Sequence, residues 1–400
     1  MRSKSFYVKH RILPSIKKGY TMKIGIITFH ASLNCGSMLQ AYALQTVLEK
    51  KYGADVEIIN FANSGSRNMY NVIDLRPKKS AIRNNIKSVT NLGTIIPYRR
   101  DYLTFKKQYL HLSAGDYRTA KQLEGIEKKY DLLIAGGDQI WNVRCPDADK
   151  AYFLGFAKDI KKVAYSPSLG ANDISESAKD PEEYKRYLLD FDYLSVREPN
   201  GKKWLEKLTG REVEIVADPT LLLTKEEWVS GFDLPQTEEH YIFNYAFFHN
   251  REETNLAIQK ISEQMNMPVY VLDGKSWAYY KLDKYGIKKF PMTGPLAFLA
   301  LMKNADLVLT QSFHGTIFSV LFEKQFWSYK RPVENEDKDD RAVAILKQLG
   351  LSERYQVIDE LPNMDYLKKI DYENGVSRKA ISELKENAFA YLDKVLGERA

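Results

Sequence analysis

Apolar and polar positions along this chain fall into blocks that read as strand, turn and helix. Lys23–His30 (KIGIITFH) is a short apolar run, and Ala31–Ser37 is a polar turn containing Asn34 and Gly36. Met38–Tyr52 places Leu39, Tyr42, Ala43, Val47 and Leu48 at helical spacing, which predicts an amphipathic helix. Gly53 stops it, and Val56–Phe61 is the next strand-like run. A strand–turn–helix–strand succession of this kind opens a parallel sheet covered by helices. Residues 62–118 break the rhythm: they are basic, tyrosine-rich and weakly patterned, and predict an insertion of helices and loops, a candidate mobile flap.

The strand pattern then returns. Asp131–Ala135 runs into Gly136-Gly137-Asp138-Gln139-Ile140-Trp141-Asn142, and Lys162–Tyr165 into Ser166-Pro167-Ser168. Tyr193–Val196 ends at Arg197-Glu198, and Val213–Val216 at Asp218-Pro219-Thr220, with helices at Pro181–Asp190 and around Trp204, Leu205 and Leu208. Parallel strands would bring Asp138, Ser166, Arg197 and Asp218 to one sheet edge, the edge where such folds bind ligands.

Trp228–Glu239, with Pro235, reads as a polar linker to a second unit. There, strands at Tyr241–Phe248 and Pro268–Leu272 flank a helix at Glu252–Met265, and a Pro295–Lys303 helix leads into Asp306–Ser319 (DLVLTQSFHGTIFS). In that stretch an apolar strand stops at Thr310-Gln311-Ser312, and Gly315-Thr316 opens a helical period. The free N–H groups at such a helix start attract an anion, and His314 stands at the switch. Gln325–Tyr329 is a further strand and Arg341–Leu349 a helix. The last helix, Ser377–Leu396, has Ser377 at its N-cap position and a stripe of Ile381, Leu384, Ala388, Tyr391 and Val395. The whole predicts an α/β chain of two Rossmann-like domains with mainly parallel sheets facing across a cleft. Residues 22–225 form the first, with the insertion at about 62–118; residues 226–400 form the second, whose terminal helix can pack back on the first.

A chain of 400 residues can give each domain its own core. It is 44% hydrophobic and 28% charged, and no apolar run approaches the ~18–20 residues of a membrane helix. Two cysteines, Cys35 and Cys145, are too few for a disulfide framework, so a reducing, cytoplasmic setting is expected. The net charge of +7 does not imply a nucleic-acid groove, because six of those charges lie in residues 1–21, which hold no acid. That basic extension reads as a disordered arm, a surface tether, or upstream sequence ahead of a start at Met22; Met22-Lys23 leads straight into the first strand, which favours the last. No H-E-x-x-H, metal-spaced cysteine pair, Walker lysine or G-x-G-x-x-G is present, so no metal set is expected, and ATP hydrolysis and dinucleotide redox chemistry lose support.

Several residues carry two readings. Arg197 suits a bidentate pair with phosphate or carboxylate, or a salt bridge to Glu198 or Asp218. His314 can hold an anion or move protons, or be a buried structural histidine. Asp138 is a base for a hydroxyl or a turn aspartate; Asn34 and Gly36 admit a ligand to the backbone or form a plain tight turn. Trp141 stacks on a sugar or fills the core. Lys330, Arg331 and Arg341 around the polar run Glu334–Asp340 are anion ligands or a solvated cluster.

Five stretches in order resemble the polysaccharide pyruvyl transferase family, from about Met22 to Leu351. They are F-H-A-S-L-N-C-G-S-M-L-Q-A-Y-A-L at Phe29–Leu44, G-G-D-Q-I-W-N at Gly136–Asn142, S-V-R-E at Ser195–Glu198, A-D-P-T-L-L-L at Ala217–Leu223 and L-T-Q-S-F-H-G-T-I-F-S at Leu309–Ser319. The resemblance implies a glycosyltransferase-B-like architecture. It also implies transfer of the enolpyruvyl unit of phosphoenolpyruvate onto a sugar of a bacterial surface glycan precursor, leaving a pyruvate ketal. No cofactor is implied beyond phosphoenolpyruvate as donor; the acceptor would be a glycan or lipid-linked oligosaccharide, which could hold the protein against the inner membrane. Carried onto this chain, the catalytic residues would be His314, Asp138 and Arg197. The substrate-binding residues would be Asn34, Gly36, Gly137, Gln139, Ser312, Gly315, Thr316 and Arg341. The chain departs from the pattern at Cys35, where Tyr is common, and at Gly137, where Ser is common. It departs again at Ser312, where some branches have an arginine that would grip the donor. Two other readings stay open: a nucleotide-sugar-dependent glycosyltransferase of the same architecture, and a non-catalytic glycan-binding relative.

Overall fold

The computed structural model describes residues 20–73, 79–330, 341–373 and 375–397. The expected extension at 1–21 thus falls, apart from Tyr20 and Thr21, outside the described residues, as do Arg331 and the 334–340 run.

The first domain is built on β1 (Lys23–Ile27), β2 (Asp55–Ile58), β3 (Leu132–Gly136) and β4 (Lys161–Tyr165), ordered β2-β1-β3-β4 and all parallel. A parallel bridge from Val163 to Tyr193 continues this edge toward the short pair β5 (Ser195–Val196) and β6 (Glu214–Ile215). The second domain holds β7 (Ile242–Tyr245), β8 (Val269–Val271), β9 (Ile287–Lys289), β10 (Leu307–Thr310), β11 (Gln325–Lys330) and β12 (Tyr355–Val357). Their order is β12-β11-β10-β7-β8-β9, again all parallel. Strands covered on both faces need apolar residues at every position, and β3, β7, β8 and β10 are buried along their whole length.

β4 meets the same burial with two lysines. Lys162 Nζ donates to the carbonyls of Leu154 (3.0 Å) and Ala157 (2.7 Å) and pairs with Asp190; Lys161 Nζ donates to Val395 O at 2.7 Å. Val395 belongs to the terminal helix Val376–Leu396, which lies against the first domain. Its Tyr391 hydroxyl donates to Ala164 O, and its Asp393 accepts from Tyr52, both at 2.7 Å.

Three expectations are corrected. The Cys35–Lys50 helix is not amphipathic: it is buried on nearly every side, with Tyr42 among the few half-exposed positions, because it lies between the domains. It shares one apolar core with Trp228, Phe298 and Phe318. The start of the expected linker, Trp228–Ser230, is instead the end of a helix, Lys225–Ser230, held by a Thr224/Glu227 capping box, with Trp228 fully buried and donating to Thr220 O at 3.1 Å. Ser377 sits inside the first turn of the terminal helix, and Gly375 is its N-cap.

Candidate active site at the seam between the domains

The carboxyl ends of the first-domain strands meet the β10-to-helix turn of the second domain. After β3 the chain turns through Gly137 (φ 68°) and Asp138 (φ 54°), and Asp138 is a non-glycine residue in left-handed backbone. Three contacts hold it there: Ser168 N–H donates to its carbonyl (2.7 Å), and its carboxylate accepts from the Gln139 N–H (2.8 Å) and from the Ser37 hydroxyl. A side chain at Gly137 would collide with the Gln40 amide, so the turn needs glycine on two grounds.

Arg197, just past β5, is 4% exposed. Its Nε donates to Glu198 Oε1 at 3.0 Å and its Nη1 to Asp218 Oδ2 at 2.7 Å, while the guanidinium lies 4.0 Å from the centre of the Phe313 ring. The salt-bridge reading of Arg197 is therefore realised. Asp218 also accepts from the Thr220 N–H (3.0 Å) and hydroxyl (2.6 Å), and its Oδ2 lies 3.6 Å from His314 Nε2. Glu198–Arg197–Asp218–His314 is thus one charged chain that crosses from the first domain to the second. Two of its nitrogens, Arg197 Nη2 and His314 Nε2, are buried without a hydrogen-bond partner among the described residues.

Burial works against the charges of Asp218, Arg197 and Glu198, and the neighbours decide the outcome. Burial alone would raise the Asp218 pKa, yet His314 and then Arg197 hold it well below the ordinary carboxylate range. Burial would lower that of Arg197, but Glu198, Asp218 and Asp138 more than offset it and the guanidinium stays charged. Glu198 is pushed up by burial, which Arg197 opposes only in part.

His314 occupies the first turn of the Phe313–Leu321 helix, whose N-cap is Ser312. Its imidazole packs on Gly36, in the first turn of the Cys35–Lys50 helix, so two helix N-termini converge on the seam. Arg341 reaches Gln139 from the second domain: with the Gln139 amide oxygen turned toward it, that oxygen accepts from Nη1 and, at 3.3 Å, from Nη2. Beside this bridge a cavity of about 210 Å³ lies at the ends of β10 and β11, lined by Thr310, Gln311, Phe313, Lys330 and Arg341.

The structure gathers Gly36, Gly137, Asp138, Gln139, Arg197, His314 and Arg341 at the seam, and gives other candidates structural duties. Asn34 caps the Cys35–Lys50 helix, accepting from Ser37 N–H at 3.2 Å. Thr316 is fully buried, with its hydroxyl bonded to Ser312 O (3.1 Å) and Ser328 Oγ (2.6 Å), and Gly315 packs beneath Thr310. The Ser312 N–H donates to Thr310 Oγ1 at 3.0 Å. Trp141 is a core residue, stacked on Phe153 and donating to Tyr152 O at 3.1 Å. Asp218, which the sequence placed at the ligand edge and as a possible partner of Arg197 but gave no further role, joins the site; Phe313 and Ser37 were not among the sequence candidates, and the place of Phe313 beside His314 was the available signal. Among the described residues no group of three His, Cys, Asp or Glu side chains is placed to hold a metal ion, and no helix is long and apolar enough to cross a membrane.

The model of one protein family, described as polysaccharide pyruvyl transferase, matches residues 34–330. No curated protein matches the sequence. Among solved structures, UDP-GlcNAc 2-epimerase from Methanocaldococcus jannaschii is similar at a TM-score of 0.50 and 14% identity, over 92% of this chain and 100% of that one. A co-structure of S. aureus MnaA with UDP is similar at a TM-score of 0.51 and 12% identity, over 95% of this chain and 99% of that one. At these identities the likeness shows the shared two-domain, glycosyltransferase-B-like fold.

Proposed function

Since the chain belongs to the polysaccharide pyruvyl transferase family, we propose that it moves the enolpyruvyl unit of phosphoenolpyruvate onto a saccharide and closes a pyruvate ketal. The observation that carries this reading is the buried chain Glu198–Arg197–Asp218–His314 across the seam, in which Arg197 Nη2 and His314 Nε2 make no hydrogen bond among the described residues and Phe313, against Arg197, lines a cavity that also bears Lys330 and Arg341. A donor with a carboxylate and a phosphate matches several cations held in one place, and Lys330 and Arg341 supply the charge that Ser312 does not.

In the proposed reaction the methylene carbon of phosphoenolpyruvate takes a proton, which leaves the central carbon cation-like. A sugar hydroxyl adds there and loses its proton. A second hydroxyl of the same sugar then forms the other carbon–oxygen bond, and phosphate departs with the electron pair of the bond it breaks and takes up the proton that this hydroxyl loses. His314 serves as the proton donor and acceptor, and Asp138, fixed by Ser37, orients the attacking hydroxyl. Arg197 holds Asp218 and Phe313 in place and offers its remaining N–H groups to the anion. Placement and charge stabilisation carry the rate, with no covalent enzyme intermediate.

Thermal-shift titration with phosphoenolpyruvate and with nucleotide sugars tests the reading without an acceptor. Ligand at ~100 times its Kd adds about 2.7 kcal/mol. Stabilisation by phosphoenolpyruvate that weakens in Arg341→Gln, with turnover lost and the fold kept in His314→Ala, is the expected result. Stabilisation by a nucleotide sugar alone would turn the reading to a glycosyltransferase, and silence from both to a glycan-binding relative.

A further inference from the structure

The insertion after β2 builds a second concavity, in the first domain, that the seam does not use. It encloses about 660 Å³, within the range of small-molecule sites, beside the carboxyl ends of β1 and β2, where Ala31 and Asn60 form part of its wall. Arg67, Arg99, Lys106 and Arg118 line it, with Asp116 the one acidic residue in the lining.

The cations are fixed by the fold. Arg67 Nε donates to Ala62 O at 2.8 Å and the same guanidinium pairs with Asp116, which Arg118 Nη2 approaches at 3.4 Å. Arg99 donates to the Tyr70 carbonyl, and Lys106 Nζ to Asn60 Oδ1 at 3.4 Å, so both spend hydrogen bonds on neutral groups. Burial and the neighbouring Arg67 both lower the Lys106 pKa, the mark of like charges held together without full compensation. Such a concentration of positive charge costs stability and gains a return when an anion enters. Asn60, Asn68 and Asn71 add amides suited to hydroxyl groups. Tyr70 stands in the wall, and its phenol is raised by burial and then by Asp147 and Asp138.

We propose that this cavity binds a phosphate-bearing saccharide, with the phosphate on Arg67, Arg99 and Lys106 and the sugar hydroxyls on the asparagine amides. That the saccharide is the acceptor rests on the transferase reading above; the anion site itself does not. The same helical insertion exposes Ile86 (62%), Ile96 (57%) and Leu103 (44%), and Leu103 lies in the cavity wall, so a lipid-borne phosphate is the competing source.

The test is calorimetric titration of the full chain with glucose 1-phosphate and with glucose, alongside sedimentation with phosphatidylglycerol vesicles. Saturable binding of glucose 1-phosphate, absent for glucose, should weaken about tenfold or more in Arg99→Gln and in Lys106→Gln, the size of one lost charge-assisted hydrogen bond. It should be unchanged in Arg341→Gln. Melting temperatures identify any variant that fails to fold, and Arg118→Gln, which removes an exposed charge that lines the cavity beside Asp116, should weaken binding by less than Arg99→Gln with the melting temperature kept. No binding of glucose 1-phosphate, vesicle binding alone, or a loss confined to Arg341→Gln would each overturn the site. If glucose 1-phosphate binds here while phosphoenolpyruvate does not bind at all, the transferase reading fails and the anion site stands.

Discussion

Gly36 of the first domain and His314 of the second are in face-to-face contact: a Cβ placed on Gly36 would lie within 2.8 Å of the His314 Cβ and would overlap the imidazole ring. The position of the histidine is therefore set by the absence of a side chain across the seam. Gly36→Ala should displace His314, or part the helix starts, at an overpacking cost of about 1–3 kcal/mol. Turnover should fall by about 10²-fold, since a shift near 1 Å in a reacting group has that effect. In Gly36→Ala/His314→Ala the stability loss should be smaller than the sum of the single losses. A denaturant double-mutant cycle reads this directly, and strict additivity would show that the two residues do not press on one another.

Arg197 bridges Glu198 and Asp218 with side-chain exposure of only 2%. Arg197→Met leaves two buried carboxylates without their cation and should cost about 3–5 kcal/mol. Arg197→Lys retains the charge but not the fork, and should fall between. Because Asp218 is held below its ordinary range in the folded chain, its contribution is present above the unfolded value of ~3.9 and is lost as pH falls through the lower folded value. The gap between wild type and Arg197→Met should therefore narrow in acid. Urea midpoints at pH 7 and at pH ~2.5, on either side of the ~3.9 unfolded value, check this, and a gap that widens in acid would contradict it. Loss of turnover with an intact fold is thus expected of His314→Ala rather than of a truncated Arg197.

Much of this architecture is written in the sequence, for a physical reason. Strands buried on both faces must be continuous apolar runs, so β1, β3, β7 and β10 are legible, and a polar residue straight after such a run, as at Arg197 or Asp138, marks the ligand edge. β9 and β12 escape that reading because they are three-residue strands on the two edges of their sheet, with Lys288, Lys289 and Gln356 among their few positions. The pair β5–β6 is equally short, but the polar turns after it gave it away. What no local pattern could reveal is contact between domains. The all-round burial of the Cys35–Lys50 helix, the Gly36–His314 contact and the Arg341–Gln139 bridge each depend on a partner some hundred or more residues distant.

Cys35 opens the helix at the seam and is fully buried, with its sulfur 3.1 Å from the Tyr102 hydroxyl. Burial pushes its thiol up to about 12, against weaker opposition from the Tyr102 and Tyr245 hydroxyls, so it holds no thiolate at neutral pH. Cys145 is partly exposed. Iodoacetamide should label Cys145 alone in the native protein and both cysteines after denaturation, as read by peptide mass. Comparable native labelling of Cys35 would mean that the seam opens on the timescale of the reaction.

His30 is buried at the end of β1, with Nδ1 3.2 Å from Thr28 O and Nε2 3.1 Å from Asn60 Oδ1. Burial, with Lys106 adding to it, lowers its pKa to about 4. Unfolded, the same side chain titrates near ~6.5. Between those values the unfolded chain binds a proton that the folded chain refuses, so stability is full above pH ~6.5 and falls as pH drops toward 4. The loss should reach up to about 3 kcal/mol. His30→Gln removes the titrating group and should flatten that part of the profile in urea unfolding between pH 4 and 7. An unchanged slope would assign the acid sensitivity to other groups. Part of the depression comes from Lys106 and Arg67, so an anion in the adjoining cavity should lift the His30 pKa by screening them. Glucose 1-phosphate should accordingly shift the His30 ring resonances to a higher titration midpoint in the wild type and have much less effect in Lys106→Gln.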